Sequence, residues 1–429
     1  MSAQVQTHTA DRIYYDAPQQ LEFTATVTAV REVARVDGKQ VWQLALDRTA
    51  FYPESGGQPF DTGTLIATAR SGALLEAPIT DVQEDGDGEV WHTTAKPLQE
   101  GTPVRGVVDA VRRRDHMQQH SGQHLLSAVL QRDLQAKTVS FHLGPELSTI
   151  DLQGGSMTEE ALAVAEATVN AIVEQALPLS IRYVARDEAE QMLLRGELRK
   201  LPPRTGTIRL IEIPGIDLNA CGGTHVGTTA AIGPVLLRGT ERVRDTTRLQ
   251  FVCGDRALRA ARSDFQLTTA LARSLSTGTD QLADRIAHLL VEGRAATRER
   301  AGLLQALATA EAAALAPTAR TAGRTIYAHT LNTQEPGRDA AYAKLLAAAM
   351  VKAGVDAVLV TADEGDRCAV VLAGRPGGMN CGVLLRAALE RNGGRGGGGR
   401  ELAQGGLPAH ALLTFLTMLD SLRADTWFG

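Results

Sequence analysis

Two short motifs, far apart in the chain, constrain its fold more than any other feature. His120 and His124 stand four residues apart in "HSGQHLLSAVL", and Cys221 and His225 stand four apart in "CGGTH". On a helix, residues at that spacing sit one turn apart and point the same way. A helix offers two ligands to one metal ion in this manner, and zinc asks for about four. One thiolate and three imidazoles are the donor types zinc favours. Gly222 and Gly223 let the chain bend tightly, so that Cys221 and His225 can converge. By itself either pair most often belongs to an ordinary surface or core. Together, in what reads as one domain, they favour a metal site that the fold must assemble. A site closed by four protein ligands would be structural and an open one catalytic, and spacing leaves both readings open. A zincin-type protease needs a glutamate after the first histidine. Ser121 stands there, which argues against that class.

The rest of the chain supports a multidomain α+β protein. Its 429 residues allow several domains. Residues 1–106 carry short alternating runs such as "LEFTATVTAV" and "VWQLAL", separated by "VDGK" and "EDGDG", and read as a small antiparallel β-barrel or sandwich. Residues 107–254 read as an α+β domain with a helix pair against an antiparallel sheet. It opens with the helix "RRRDHMQQHSGQHLLSAVLQRDL", and Ser156 or Thr158 is positioned to cap a second helix. Residues 255–317 place Leu267, Leu271 and Leu275 on one face, and Leu282, Ile286 and Leu289 on another. This is a helical arm punctuated by Gly278 and Pro317. Residues 318–429 read as an α/β layer domain with buried-type strands "TIYAHTL", "DAVLVTA" and "CAVVLAG".

Bulk properties bound the partners. Aromatic residues are 4% of the chain, so stacking on bases is not expected to dominate nucleic-acid binding. The formal net charge is −5, so a polyanion must be held by local basic patches. Four cysteines fit a reducing cytosol and not a disulfide scaffold, so a cytoplasmic location is expected. Cys253, Cys368 and Cys381 read as small core residues. The opening "MSAQVQTHTADRIYYDAP" has no signal-peptide pattern, and no run of about 18 apolar residues suggests a membrane span.

"QQHSGQHLLSAVL" together with "NACGGTHV" resembles the two metal motifs of the alanyl-tRNA editing family, free-standing homologues of the editing domain of alanyl-tRNA synthetase. "FYPESGGQPFDTG" resembles the glycine-rich motif of the family's N-terminal domain, and "ERVRDTTRLQFVCGDRAL" the segment that closes the editing domain. "NGGRGGGGRELAQGG" resembles the glycine-rich end of a DHHA1-type C-terminal domain. The resemblance spans nearly the whole chain in the same domain order. An aminoacylation domain is not expected, since there is no room for its adenylate-forming sheet before Gln20.

The resemblance implies a hydrolase. The family removes serine, and in many members glycine, from mischarged alanine tRNA by cleaving the ester to the terminal ribose. It implies one zinc ion held by His120, His124, Cys221 and His225. Ser121, Gln123 and Thr224 lie beside these ligands and are candidates to contact the serine hydroxyl. The family implies a pocket-lining role for His142 and an access-limiting loop containing Gly56, Gly57, Gln58 and Asp61. It also implies tRNA binding by the C-terminal domain and a homodimer formed through nearby helices.

An acidic chain needs clustered arginines to hold RNA backbone. Arg112, Arg113 and Arg114 precede the first metal motif. Arg199, Lys200 and Arg204 precede the second, and Arg238, Arg242, Arg244 and Arg248 follow it. Arg395 and Arg400 bracket four glycines whose amides could cradle phosphate. Two competing readings are a tRNA-binding protein with a structural zinc and no activity, and a phosphoesterase. The second lacks its Asp-His-His metal cluster, because "RRDHMQQH" has no second adjacent histidine.

Overall fold

The computed structural model describes residues 11–420, except 37, 38, 70, 156, 204, 205 and 322–325. Ser156 and Arg204 therefore lie outside the described residues. Two compact units divide the chain, Met1–Ala270 and Leu271–Gly429.

The first unit opens with β1 (Asp11–Arg12), α1 (Ile13–Asp16), β2 (Glu22–Val36), β3 (Lys39–Leu46) and β4 (Arg48–Thr49). It continues with β5 (Gly63–Thr68), β6 (Leu74–Ile79), β7 (Asp81–Glu84), β8 (Val90–Thr94) and β9 (Pro103–Val108). β2 buries Phe23, Ala25 and Val27 at every second position, as a strand with one core face must. Seven strands form one sheet in the order β6-β5-β9-β2-β3-β8-β7, with every pairing antiparallel. The two outermost strands, β6 and β7, are joined by Thr80 alone. The sheet therefore curls back on itself around Phe23, Leu44, Leu46, Phe51, Leu65 and Val104.

α2 (Ala110–Leu134) follows, capped by Asp109, whose carboxylate accepts from the amides of Val111 and Arg112. After it come β10 (Lys137–Leu143), β11 (Ser148–Gln153), α3 (Glu159–Glu174), β12 (Ser180–Val184) and α4 (Arg186–Leu194). Then come β13 (Ile208–Ile213), β14 (Asp217–Ala220), β15 (Val235–Val243), β16 (Thr246–Cys253) and α5 (Gly254–Ser274). Thr158 caps α3 through the amide of Ala161. A four-stranded sheet runs β10-β11-β16-β15 and a three-stranded one β12-β13-β14. Leu125, Leu126, Val129 and Leu130 of α2 pack with Val169 and Ile172 of α3 over Ile150, Leu249 and Phe251. Each such side chain contributes roughly 1.5–3 kcal/mol when fully buried. α2 is not an ordinary amphipathic helix, because Gln118, Gln119, His120, Ser121 and Gln123 are buried as well. Gln119 is satisfied by the Cys253 backbone, donating to its carbonyl and accepting from its amide.

The second unit contains α6 (Leu282–Thr321), β17 (Tyr327–Thr330), α7 (Ala340–Lys352), β18 (Ala357–Asp363) and β19 (Arg367–Gly374). It ends with α8 (Cys381–Arg391), β20 (Arg395–Gly398), β21 (Leu402–Pro408) and α9 (Leu412–Asp420). The sheet order is β17-β18-β19-β21-β20, with β17 and β18 parallel across α7. Ala308, Ala312, Ala316 and Ala319 give α6 a small-residue seam in the same core as α7.

Two expectations are corrected here. Pro317 does not end the arm, since α6 continues through it to Thr321. The glycine-rich segment is a hairpin, β20 paired with β21, and not a phosphate-cradling loop. Its glycines answer to packing: a Cβ on Gly396 would sit 2.5 Å from Leu389 of α8 and 2.6 Å from Gly405 Cα.

Candidate metal centre

α2 presents His120 and His124 from consecutive turns, with ring centroids 5.3 Å apart. The segment after β14 brings in Cys221 and His225. His225 lies 4.5 Å from His120 and 4.8 Å from His124, centroid to centroid. Cys221 Sγ is 3.4 Å from His120 Nε2 and 3.3 Å from His225 Nε2. Tetrahedral zinc, with bonds of roughly 2.3 Å to sulfur and 2.05 Å to nitrogen, would hold such atoms about 3.6 Å apart. All four donor atoms lie within 4.8 Å of one another, so the set fits a single ion. The three histidines are buried, whereas Cys221 is partly open to solvent.

Each histidine is braced through its other nitrogen. His120 Nδ1 donates to Gln58 Oε1 at 2.8 Å. His124 Nδ1 lies 3.2 Å from Asp217 Oδ2, and His225 Nδ1 lies 3.1 Å from Ser121 Oγ. This pattern directs a histidine's free nitrogen at a metal. Arg209 donates to the carbonyls of Cys221 and Gly223 and fixes the turn between the two later ligands. Gly223 cannot carry a side chain, since its Cβ would lie 2.2 Å from His120 Cε1.

The electrostatics suit ligation. Burial pushes the Cys221 thiol up, but the imidazoles of His120 and His225 outweigh it and hold the thiol well below its ordinary range. Burial pushes His225 down to about 3 and keeps it neutral. Burial also disfavours charge on His124, but the bonds to Asp217 and Cys221 prevail and raise it to about 9. A metal ion binding there has to displace that proton.

Residues 1–112 match the family model "tRNA synthetases class II (A)", and residues 208–249 match "Threonyl and Alanyl tRNA synthetase second additional domain". The chain is 34% identical to the alanyl-tRNA editing protein Aarsd1 of Bos taurus over 297 residues, 67% of this chain and 64% of that protein. It is 37% identical to the alanine–tRNA ligase of Natronomonas pharaonis over 58% of this chain and 26% of the ligase. With Aarsd1 of Rattus norvegicus the identity is 34%, over 67% of this chain and 69% of the relative. The chain belongs to the alanyl-tRNA editing protein family.

In this family member the remaining candidates fall in different places. Ser121 is taken up by His225 and the amide of Val226, and Gln123 donates to Ser127 Oγ. Thr224 is buried beside His225, and its hydroxyl accepts from Gln58 Nε2. The ring that lies against His120 is not that of His142 but that of its neighbour Phe141. His142 is exposed on the edge strand β10, while Phe141 lies with its ring 5.2 Å from that of His120. Alternation along a strand explains this one-residue displacement.

Gly56 and Gly57 are exposed in a tight turn with φ of 58° and 87°, but Gln58 and Asp61 are fully buried. Asp61 accepts from the Tyr52 amide and pairs with Arg113. Arg113 is therefore removed from the RNA-contacting set. It is buried and also donates to the Pro18 and Ala50 carbonyls.

Arg112 donates to the Phe60 carbonyl. Arg238 and Arg248 pair with Asp264 and Asp151, and Arg199 grips Asp217. Arg114, Lys200, Arg242, Arg244, Arg395 and Arg400 are exposed. Cys253, Cys368 and Cys381 are buried.

Sequence reasoning missed Asp217. Its signal was an acid four positions before Cys221 in "DLNAC", on a strand leading to a ligand.

Proposed function

We propose that the protein is a trans-acting aminoacyl-tRNA deacylase. It hydrolyses serine, and also glycine, from mischarged alanine tRNA and spares the alanine ester. The observation that carries the reading is the convergence of His120, His124, Cys221 and His225, each histidine braced by its own partner. These four residues would hold one zinc ion. Bound there, zinc would position the ester and its attacking water, the chemistry of a Lewis acid at such a site.

The chain's own residues do the rest. Phe141 and the buried face of α2 wall the centre, and the partly open Cys221 side is the way in. Water adds to the ester carbonyl, the bond to the ribose oxygen breaks, and that oxygen takes the proton. Alanine and serine differ by one hydroxyl, which binding alone separates by only ~1–3 kcal/mol, so a second hydrolytic site is the physical remedy. Thr224, buried beside His225 with its hydroxyl accepting from Gln58 Nε2, would read the serine hydroxyl. Arg114, Lys200, Arg242 and Arg244, all exposed, would hold phosphates of the acceptor end, and Arg395 and Arg400 would contact RNA elsewhere. A homodimer through the second unit accompanies this reading.

The test is release of serine from serine-charged alanine tRNA, beside the alanine-charged form, by wild type and Cys221→Ala. The proposal expects wild type to clear the serine ester and spare the alanine ester, and the variant to clear neither. One observation favours a second reading. Four protein donors can close a zinc shell, as in structural sites. That reading makes the chain a zinc-containing tRNA-binding protein, which would bind tRNA and zinc and release nothing.

A further inference from the structure

Gln58 belongs to the connection that leads from β4 into β5 of the curled N-terminal sheet, yet its side chain ends at the candidate metal centre on α2. It is fully buried. Its amide oxygen accepts from His120 Nδ1 at 2.8 Å and from the Thr224 amide at 3.1 Å. Its amide nitrogen donates to Thr224 Oγ1 at 2.8 Å. An amide oxygen can only accept, so the Nδ1 partner must carry the proton. That leaves His120 Nε2, the atom 3.4 Å from Cys221 Sγ, with its lone pair free.

The turn that delivers Gln58 is fixed at several points. Ser55 and Gln58 form a reciprocal backbone bridge across Gly56 and Gly57. The Gly57 carbonyl accepts from the Leu143 amide at the end of β10. Three residues beyond Gln58, Asp61 pairs with Arg113 in the first turns of α2. Such anchoring is unlike a segment that opens and closes. It is the anchoring of a brace.

We propose that Gln58 is a positioning residue. It sets the tautomer and ring orientation of His120 and so makes the N-terminal sheet part of the metal centre. This deepens the metal reading above and rests on it. Loss of such an outer partner costs about 10- to 100-fold in metal affinity.

The test is zinc affinity of the full chain, read by competition with a chromophoric chelator, together with the visible spectrum of the cobalt-loaded protein. Gln58→Met keeps the volume and removes the acceptor. It should weaken zinc binding about 10- to 100-fold and alter the cobalt spectrum. Gln58→Glu keeps an acceptor toward Nδ1 and should restore most of the affinity. If Gln58→Met fails to fold, Thr224→Val decides. It removes the group that holds the Gln58 amide and should weaken zinc in the same direction by less.

Wild-type affinity and spectrum in Gln58→Met, or in Thr224→Val where that variant decides, overturn the proposal. So does a Gln58→Glu variant as weak as Gln58→Met. A wild type that binds no zinc would instead overturn the metal reading, so the two failures are distinct.

Discussion

Asp217 and His124 are held 3.2 Å apart, and the aspartate is itself clamped by two further side chains. Arg199 donates to both its oxygens at 2.7 and 2.9 Å, and Asn219 donates to both at 2.6 and 2.7 Å. Carboxylate, imidazole and ligand position thus form one rigid chain. Asp217→Ala should lower zinc affinity by about 10- to 100-fold while leaving the fold intact. Chelator competition beside circular dichroism checks both halves. Affinity equal to wild type would remove Asp217 from the centre.

Asp61 and Arg113 lie at the junction of the N-terminal sheet and α2, each with its side chain only 1% exposed. Removing one partner of a buried ion pair strands the other, at a cost on the order of 3–5 kcal/mol. Asp61→Ala should therefore shift the urea midpoint far down. Arg248→Ala, which breaks the more exposed pair with Asp151, should leave it nearly unchanged.

Gly122 sits between Ser121 and Gln123 on α2, pressed against Cys253. A Cβ there would lie 2.2 Å from Cys253 Sγ. Gly122→Ala should lower the thermal midpoint even though alanine is the better helix former. Adding Cys253→Ala should recover part of the loss. Two purely additive effects in a double-mutant cycle would deny the contact.

His92 is fully buried, bonded to Thr49 Oγ1 and the Leu44 carbonyl, and burial pushes it down to about 4. The folded value lies below the unfolded one, so the stabilising effect of neutral His92 is complete above about pH 6.5. As pH falls from there to about 4, the unfolded chain takes up the proton first and stability drops. The loss is on the order of 3 kcal/mol for a shift of this size. Urea unfolding of wild type and His92→Gln across that window checks it. The variant should show a shallower decline, and parallel curves would contradict the assignment.

The parts of the fold set by local pattern were legible in the sequence. The alternation in "LEFTATV" and the apolar run after His120 each became the expected element, because one core face or stripe decides them. The clustered histidines and cysteine were legible because ligand chemistry restricts residue types and spacing. What escaped depended on contacts between distant segments. The role of Gln58 follows from a bond 62 positions away, and Arg113 looked like surface charge until Asp61 was placed beside it. His142 and Phe141 differ by one residue, and only the strand's placement says which one faces His120. In "NGGRGGGG" the glycines suggested a phosphate-binding loop, whereas close packing of α8 against a hairpin requires Gly394 and Gly396.

The central claim is that one metal ion, held by His120, His124, Cys221 and His225, is needed for hydrolysis. Its most direct test is serine release from serine-charged alanine tRNA by protein stripped of metal with a chelator, then re-supplied with zinc. The account predicts that release stops in the stripped protein and returns as zinc approaches about one ion per chain. Undiminished release by stripped protein whose zinc content has been measured as negligible would contradict it.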